Sequence, residues 1–141
     1  MTRLTLTVLA LTLTGAAAVA DTAADQTRAD VKATFGAVPS FVSAIADPAL
    51  PGIWAEEKAL ILSNDTALDA KTKALISLAV AAQIPCTYCV YSDTVDAKRA
   101  GAKDTEIAEA VAVAGMTRNM STIFNGMQVD FAQFKAEMGG N

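Results

Sequence analysis

The segment from Leu68 to Gln83 constrains this chain most. Leu75, Ile76, Leu78, Ala79, Val80, Ala81 and Ala82 leave it almost no polar face. A helix that is apolar nearly all round must be covered by other elements, so this one is expected to be buried. Ile84-Pro85 ends it, because a proline inside a helix has no N–H to donate and clashes with the preceding turn.

The flanking segments read as further helices, and strand signals are nearly absent. Thr22 to Phe35 is polar and alanine-rich, with Gly36 as a helix stop. Val38-Pro39-Ser40 opens a short helix that Asp47-Pro48 closes. Pro51-Gly52 opens another, which runs through Trp54 to Leu62 and stops at Asn64-Asp65. Cys86 to Ala100 forms the next, stopped at Gly101. Asp104 is placed to cap a helix through Ile107, Val111 and Met116. Met116, Met120, Ile123, Met127, Phe131, Phe134 and Met138 recur at spacings of 4, 3, 4, 4, 3 and 4, as the stripe of one last helix. A stripe of this kind is a core or subunit-interface face before it is a substrate groove.

The first twenty residues have a different character. Met1-Thr2-Arg3 is a short positive start, Leu4 to Leu13 is apolar, and small residues end in Ala18-Val19-Ala20 before Asp21. That order is the layout of a secretory signal, expected to be cut after Ala20. Residues 21–141 are then one all-α domain, exported and, in a bacterium, periplasmic. The apolar run is too short and threonine-diluted for a membrane span, so no membrane association is expected after cleavage.

Composition removes much of the chemical menu. The chain has no histidine. No Ser-His-Asp or Cys-His nucleophile can be built, and no histidine-ligated metal site. The formal net charge is −4 with no basic stripe, which excludes a typical nucleic-acid binder. No cofactor and no metal are expected.

Cys86-Thr87-Tyr88-Cys89 contains the two cysteines of the chain. Two intervening residues at a helix start bring both sulfurs close enough to bridge. Pro85 places Cys86 near the first turn, where free N–H groups and the helix dipole favour a thiolate. One cysteine can attack an oxidant or a disulfide, and the other can resolve the product. Structural zinc wants four ligands and finds two. Haem attachment needs a histidine where Val90 stands. An inert disulfide is the serious rival, although so small a loop removes little unfolded-state entropy.

Lys71-Thr72-Lys73-Ala74-Leu75-Ile76-Ser77-Leu78-Ala79-Val80-Ala81-Ala82, the Cys86–Cys89 motif, Ala97, Gly101-Ala102 and Glu106-Ile107 together resemble the carboxymuconolactone decarboxylase family, and within it the alkyl hydroperoxidase D branch. The resemblance covers about residues 50–128 and is densest over 71–115. It implies an all-α helical bundle that assembles as a trimer or hexamer. It also implies thiol peroxidase or disulfide reductase chemistry, on a hydroperoxide or disulfide, with an external thiol reductant.

The resemblance assigns Cys89 as the sulfur oxidised to a sulfenic acid and Cys86 as the one that resolves it. The helix dipole alone favours Cys86 as nucleophile, so the two arguments differ, and the resemblance is followed. The family's histidine four residues after the second cysteine is Asp93 here. Its glutamate twelve residues before the first cysteine is Ala74. Asp93 lies one turn from Cys89 on the same face. It is either a solvated charge or a general base whose pKa burial has raised. Ser92 is a candidate donor to a thiolate. Tyr88, Tyr91 and Trp54 are packing residues or the lining of a pocket. The absence of histidine tells against lactone decarboxylation. Two rival readings remain. One is a non-enzymatic oligomeric binding or scaffold protein with a structural Cys86–Cys89 disulfide, and the other is disulfide exchange with a partner protein.

Overall fold

The computed structural model describes residues 21–139; the expected export signal lies outside them. All regular structure among these residues is helical. The chain divides into two compact units, with the boundary between Trp54 and Ala55.

The first unit holds helix α1 (Ala23–Phe35), a 3-10 turn (Ser40–Ala44) and the start of α2 (Leu50–Glu56). The Thr22 hydroxyl accepts the Asp25 N–H, and the Asp25 carboxylate accepts the Thr22 N–H, so two orphan donors are satisfied reciprocally. Gly36 ends α1 at φ 80°, a left-handed position that costs glycine nothing. Ala24, Thr27 and Val31 form the buried stripe of α1, and Val42, Leu50 and Trp54 complete a small core. The Trp54 indole N–H donates to Asp30 at 2.8 Å, and its ring meets the edge of Phe35. Arg28 pairs with Asp47. The short helix expected to start at Val38-Pro39-Ser40 is thus a 3-10 turn ending at Ala44.

In the second unit the chain of α2 widens into a π-helix over Glu57–Leu62. Helices α3 (Ala70–Gln83), α4 (Thr87–Arg99), α5 (Asp104–Gly126) and α6 (Phe131–Glu137) follow. Helix α3 packs against α4, α5 and the π-helix. Asp69 caps α3 by accepting the Thr72 N–H at 2.7 Å. Lys71 of α3 pairs with Glu106 of α5 at 2.8 Å.

Lys73 is the buried charge of this unit, 8% exposed. Its ammonium donates to the carbonyls of Leu60, Ile61 and Ser63 and to the Thr66 hydroxyl, at 2.8–3.4 Å. These are the carbonyls that the end of a helix leaves without partners. The lysine therefore fixes the end of the π-helix to α3.

Three expectations are corrected. Lys103, not Asp104, occupies the cap position of α5, and Glu106 accepts its N–H at 2.7 Å. The methionine and phenylalanine stripe is not one helix. Helix α5 ends at Gly126, Gln128 adopts φ 51°, and Asp130 caps α6 by accepting the Gln133 N–H. The stripe folds back instead, bringing Phe124 against Phe134 with ring centroids 5.1 Å apart. Finally, α3 is only partly covered within the chain. Leu78 and Ala81 are buried, whereas Ile76 is 50% and Val80 54% exposed. Three helices cannot enclose a helix that is apolar all round.

Candidate functional site

The two cysteines are joined as a disulfide at the start of α4, with Cα atoms 5.2 Å apart. Cys86 is the N-cap residue and Cys89 lies in the first turn. The Cys86 sulfur accepts the Cys89 N–H at 3.2 Å, in place of the Ser, Thr or Asp oxygen that usually satisfies this orphan donor. Ile84 and Pro85 interrupt the helical path and leave Cys86 in extended conformation, the geometry that an N-cap needs. Both cysteines are half-buried, so a small reactant can reach them. The placement satisfies the physical requirements for an activated sulfur: free N–H groups, the positive end of a helix dipole and partial exposure.

Asp93 sits one turn further along α4, on the Cys89 face. It is half-buried. Burial first, and the Asp96 charge second, raise its carboxyl above the ordinary range, against a lowering contact from Ser92. Ser92 does not serve the sulfur. Its hydroxyl donates to the Cys89 carbonyl at 3.1 Å and lies 3.5 Å from the Asp93 carboxylate. Tyr88 and Tyr91 are 89% and 75% exposed on α4. Trp54 belongs to the core of the first unit.

Sequence reasoning missed one residue here. Glu57, the first residue of the π-helix, is half-buried, and burial, Asp96 and Asp93 raise its carboxyl, in that order. Helical periodicity cannot find it, because a π segment departs from the 3.6-residue repeat on which face assignment depends. Among the described residues, no three Asp, Glu or Cys side chains are placed to hold a metal ion.

Residues 48–130, more than half of the chain, match the model of the carboxymuconolactone decarboxylase family. The chain belongs to this family. A curated relative, uncharacterized protein 4 in the cox locus of Paracoccus denitrificans, is 34% identical over 85 residues, covering 57% of this chain and 77% of that protein. The crystal structure of the alkylhydroperoxidase AhpD core from Rhodospirillum rubrum is similar at a TM-score of 0.66 and 26% identity. That match covers 77% of this chain and 82% of the other. The all-α, alkyl hydroperoxidase D-like fold expected from the sequence is therefore the fold of this chain. The cysteine pair, Asp93 and Glu57 all lie within the residues that match the family. Where the resemblance led to a histidine and a glutamate, this member has Asp93 and Ala74.

Proposed function

We propose that this protein is an exported thiol peroxidase or disulfide oxidoreductase that works through Cys86 and Cys89. The observation that carries the reading is the bridged pair at the N-terminus of α4, half-exposed and inside the family match. Similarity to an alkylhydroperoxidase core supports it. An inert bridge closing so small a loop stabilises the fold little, which leaves redox turnover as the better account of the motif.

The cycle starts from the reduced pair. Asp93 takes the Cys89 thiol proton. The thiolate attacks one oxygen of a hydroperoxide, the O–O bond breaks, and the alkoxide leaves as an alcohol with the proton. Cys89 is then a sulfenic acid. The Cys86 sulfur attacks it, water leaves, and the disulfide forms. An external dithiol returns the pair to the reduced form by exchange, becoming a disulfide itself. With a disulfide as oxidant, the thiolate attacks sulfur instead, one thiolate of that disulfide leaves with the proton, and the Cys86 sulfur attacks the mixed disulfide, releasing the second thiol as the Cys86–Cys89 bridge forms.

The test is hydroperoxide consumption by residues 21–141 with dithiothreitol as reductant, beside Cys89→Ser. The expected outcome is turnover on the order of 100-fold above the variant. Equal rates would remove the peroxidase reading.

The second reading, an oligomeric scaffold with a structural disulfide, is favoured by Ala74 and by the absence of histidine. It predicts that Cys89→Ser loses stability and has no activity to lose. Homo-oligomerisation, as a trimer or hexamer, belongs to both readings. Its support is the exposed apolar surface of α3 and α5, with Ile76, Val80, Val113 and Met116 each half-exposed or more.

A further inference from the structure

The reductive half of the cycle above leaves one choice open: which sulfur of the bridge an incoming thiolate strikes, and which one leaves. Exposure does not decide it, because Cys86 and Cys89 are both half-buried. The leaving group then does, since thiol exchange runs faster when the departing sulfur carries its negative charge more easily.

The backbone around the pair is not symmetrical. Cys86 is the N-cap of α4, and its sulfur accepts the Cys89 N–H at 3.2 Å. Its own N–H donates to the Ala81 carbonyl of α3 at 3.4 Å, and its carbonyl accepts the Val90 N–H at 2.9 Å. Cys86 is thus tied on both sides by main-chain bonds that do not involve the bridge. When the bridge opens, these bonds keep its sulfur at the N-terminus of a 13-residue helix. A negative charge there meets the Cys89 N–H and the positive end of the dipole. Cys89 has the opposite surroundings. Its sulfur accepts no hydrogen bond among the described residues, because its own N–H is turned to Cys86. Asp93 stands one turn further along the same face, and a carboxylate beside a thiolate is a like-charge pair.

We infer that the incoming thiolate attacks the Cys89 sulfur and that Cys86 leaves as a thiolate held by the Cys89 N–H. The inference rests on the thiol-oxidoreductase reading and gives its reductive half a direction. One thiolate of the external dithiol forms an S–S bond to Cys89. The Cys86–Cys89 bond breaks, and its electron pair stays on Cys86. The second thiol of the reductant loses its proton and attacks its own sulfur in the mixed disulfide. Cys89 leaves and takes one proton, and the dithiol has become a disulfide. The pair has gained two electrons and one proton, with the negative charge on Cys86 and the proton on Cys89, where Asp93 takes it in the oxidative half. The other proton of the dithiol goes to water and is used again when hydroxide leaves the sulfenic acid.

The test takes the disulfide form of residues 21–141 and glutathione, a monothiol, as the probe. Brief exposure followed by excess N-ethylmaleimide marks the two cysteines differently, and fragment masses tell which one carries glutathione. The expected product has glutathione on Cys89 and maleimide on Cys86, in about tenfold excess over the reverse. Equal amounts, or glutathione on Cys86, overturn the inference. Single-cysteine variants read the charge itself. Cys89→Ser keeps the N–H at position 89, so iodoacetamide at neutral pH should alkylate its Cys86 about tenfold faster than it alkylates Cys89 in Cys86→Ser. Serine satisfies the cap in the latter variant, so both chains should fold. Equal alkylation rates overturn the stabilised thiolate. Neither measurement needs hydroperoxide. Glutathione on Cys89 with no hydroperoxide consumption above Cys89→Ser would remove the peroxidase reading and leave the direction of exchange standing.

Discussion

At the scale of single residues, the site is decided by which charges have partners. Asp25, Asp69 and Glu106 accept hydrogen bonds at helix starts, which hold their carboxyls below the ordinary range. Glu57 accepts no such hydrogen bond and Asp93 only a long contact from Ser92, and burial pushes both carboxyls up. The sign follows from linkage. A carboxyl raised on folding favours the folded state below its ordinary pKa, and that contribution is lost as pH rises through the raised value. Near pH 7 (roughly neutral) the ionised Glu57 is therefore a cost to the fold. Glu57→Gln should melt higher than the native chain there, with the difference shrinking as pH falls through the carboxyl range. Melting curves by circular dichroism at several pH values would show it; a pH-independent difference would mean that the charge is not what is felt. Cys86 and Cys89 were legible as a bridgeable pair from their spacing alone. That Cys86 would cap α4 with its own sulfur was not, because it depends on the extended turn at Ile84-Pro85.

At the scale of elements, punctuation was read better than burial. Gly36, Pro85 and Gly101 mark real helix ends, since each acts through its own backbone preference. The π-helix and the break after Gly126 were not visible. An apolar stripe continues through Met127 and Phe131 whether the chain runs on or folds back, and the choice is made by the contact of Phe124 with Phe134. Lys73 holds the end of the π-helix by an ammonium among carbonyls. Lys73→Met fills a similar volume but leaves those carbonyls without donors. It should cost about 3 kcal/mol in urea unfolding. A loss under about 1 kcal/mol would mean that water satisfies the carbonyls instead.

At the scale of the whole molecule, α3 and α5 present exposed apolar side chains, the kind of surface that marks an interaction site when it is contiguous. Val80 and Val113 are 54% and 60% exposed, both within one shallow cleft between α3 and α5. Assembly with further copies of this chain would cover them. Light scattering on residues 21–141 is expected to give a mass of three or six chains. Val113→Asp, a charge placed in that cleft, should lower it to the monomer. A native monomer would remove the oligomer from both functional readings. The sequence by itself determined that this chain is all-α, where most of its helices stop, that it has no histidine, and that its two cysteines form one bridgeable pair. Those properties are local: backbone preference, periodicity and residue inventory act within a few positions of the chain. Only the tertiary structure decided that Lys73 is the buried cation and that the methionine stripe turns back on itself. Each of these depends on residues distant in sequence meeting where water is partly excluded, and there burial and the presence or absence of a partner set the state of a charge.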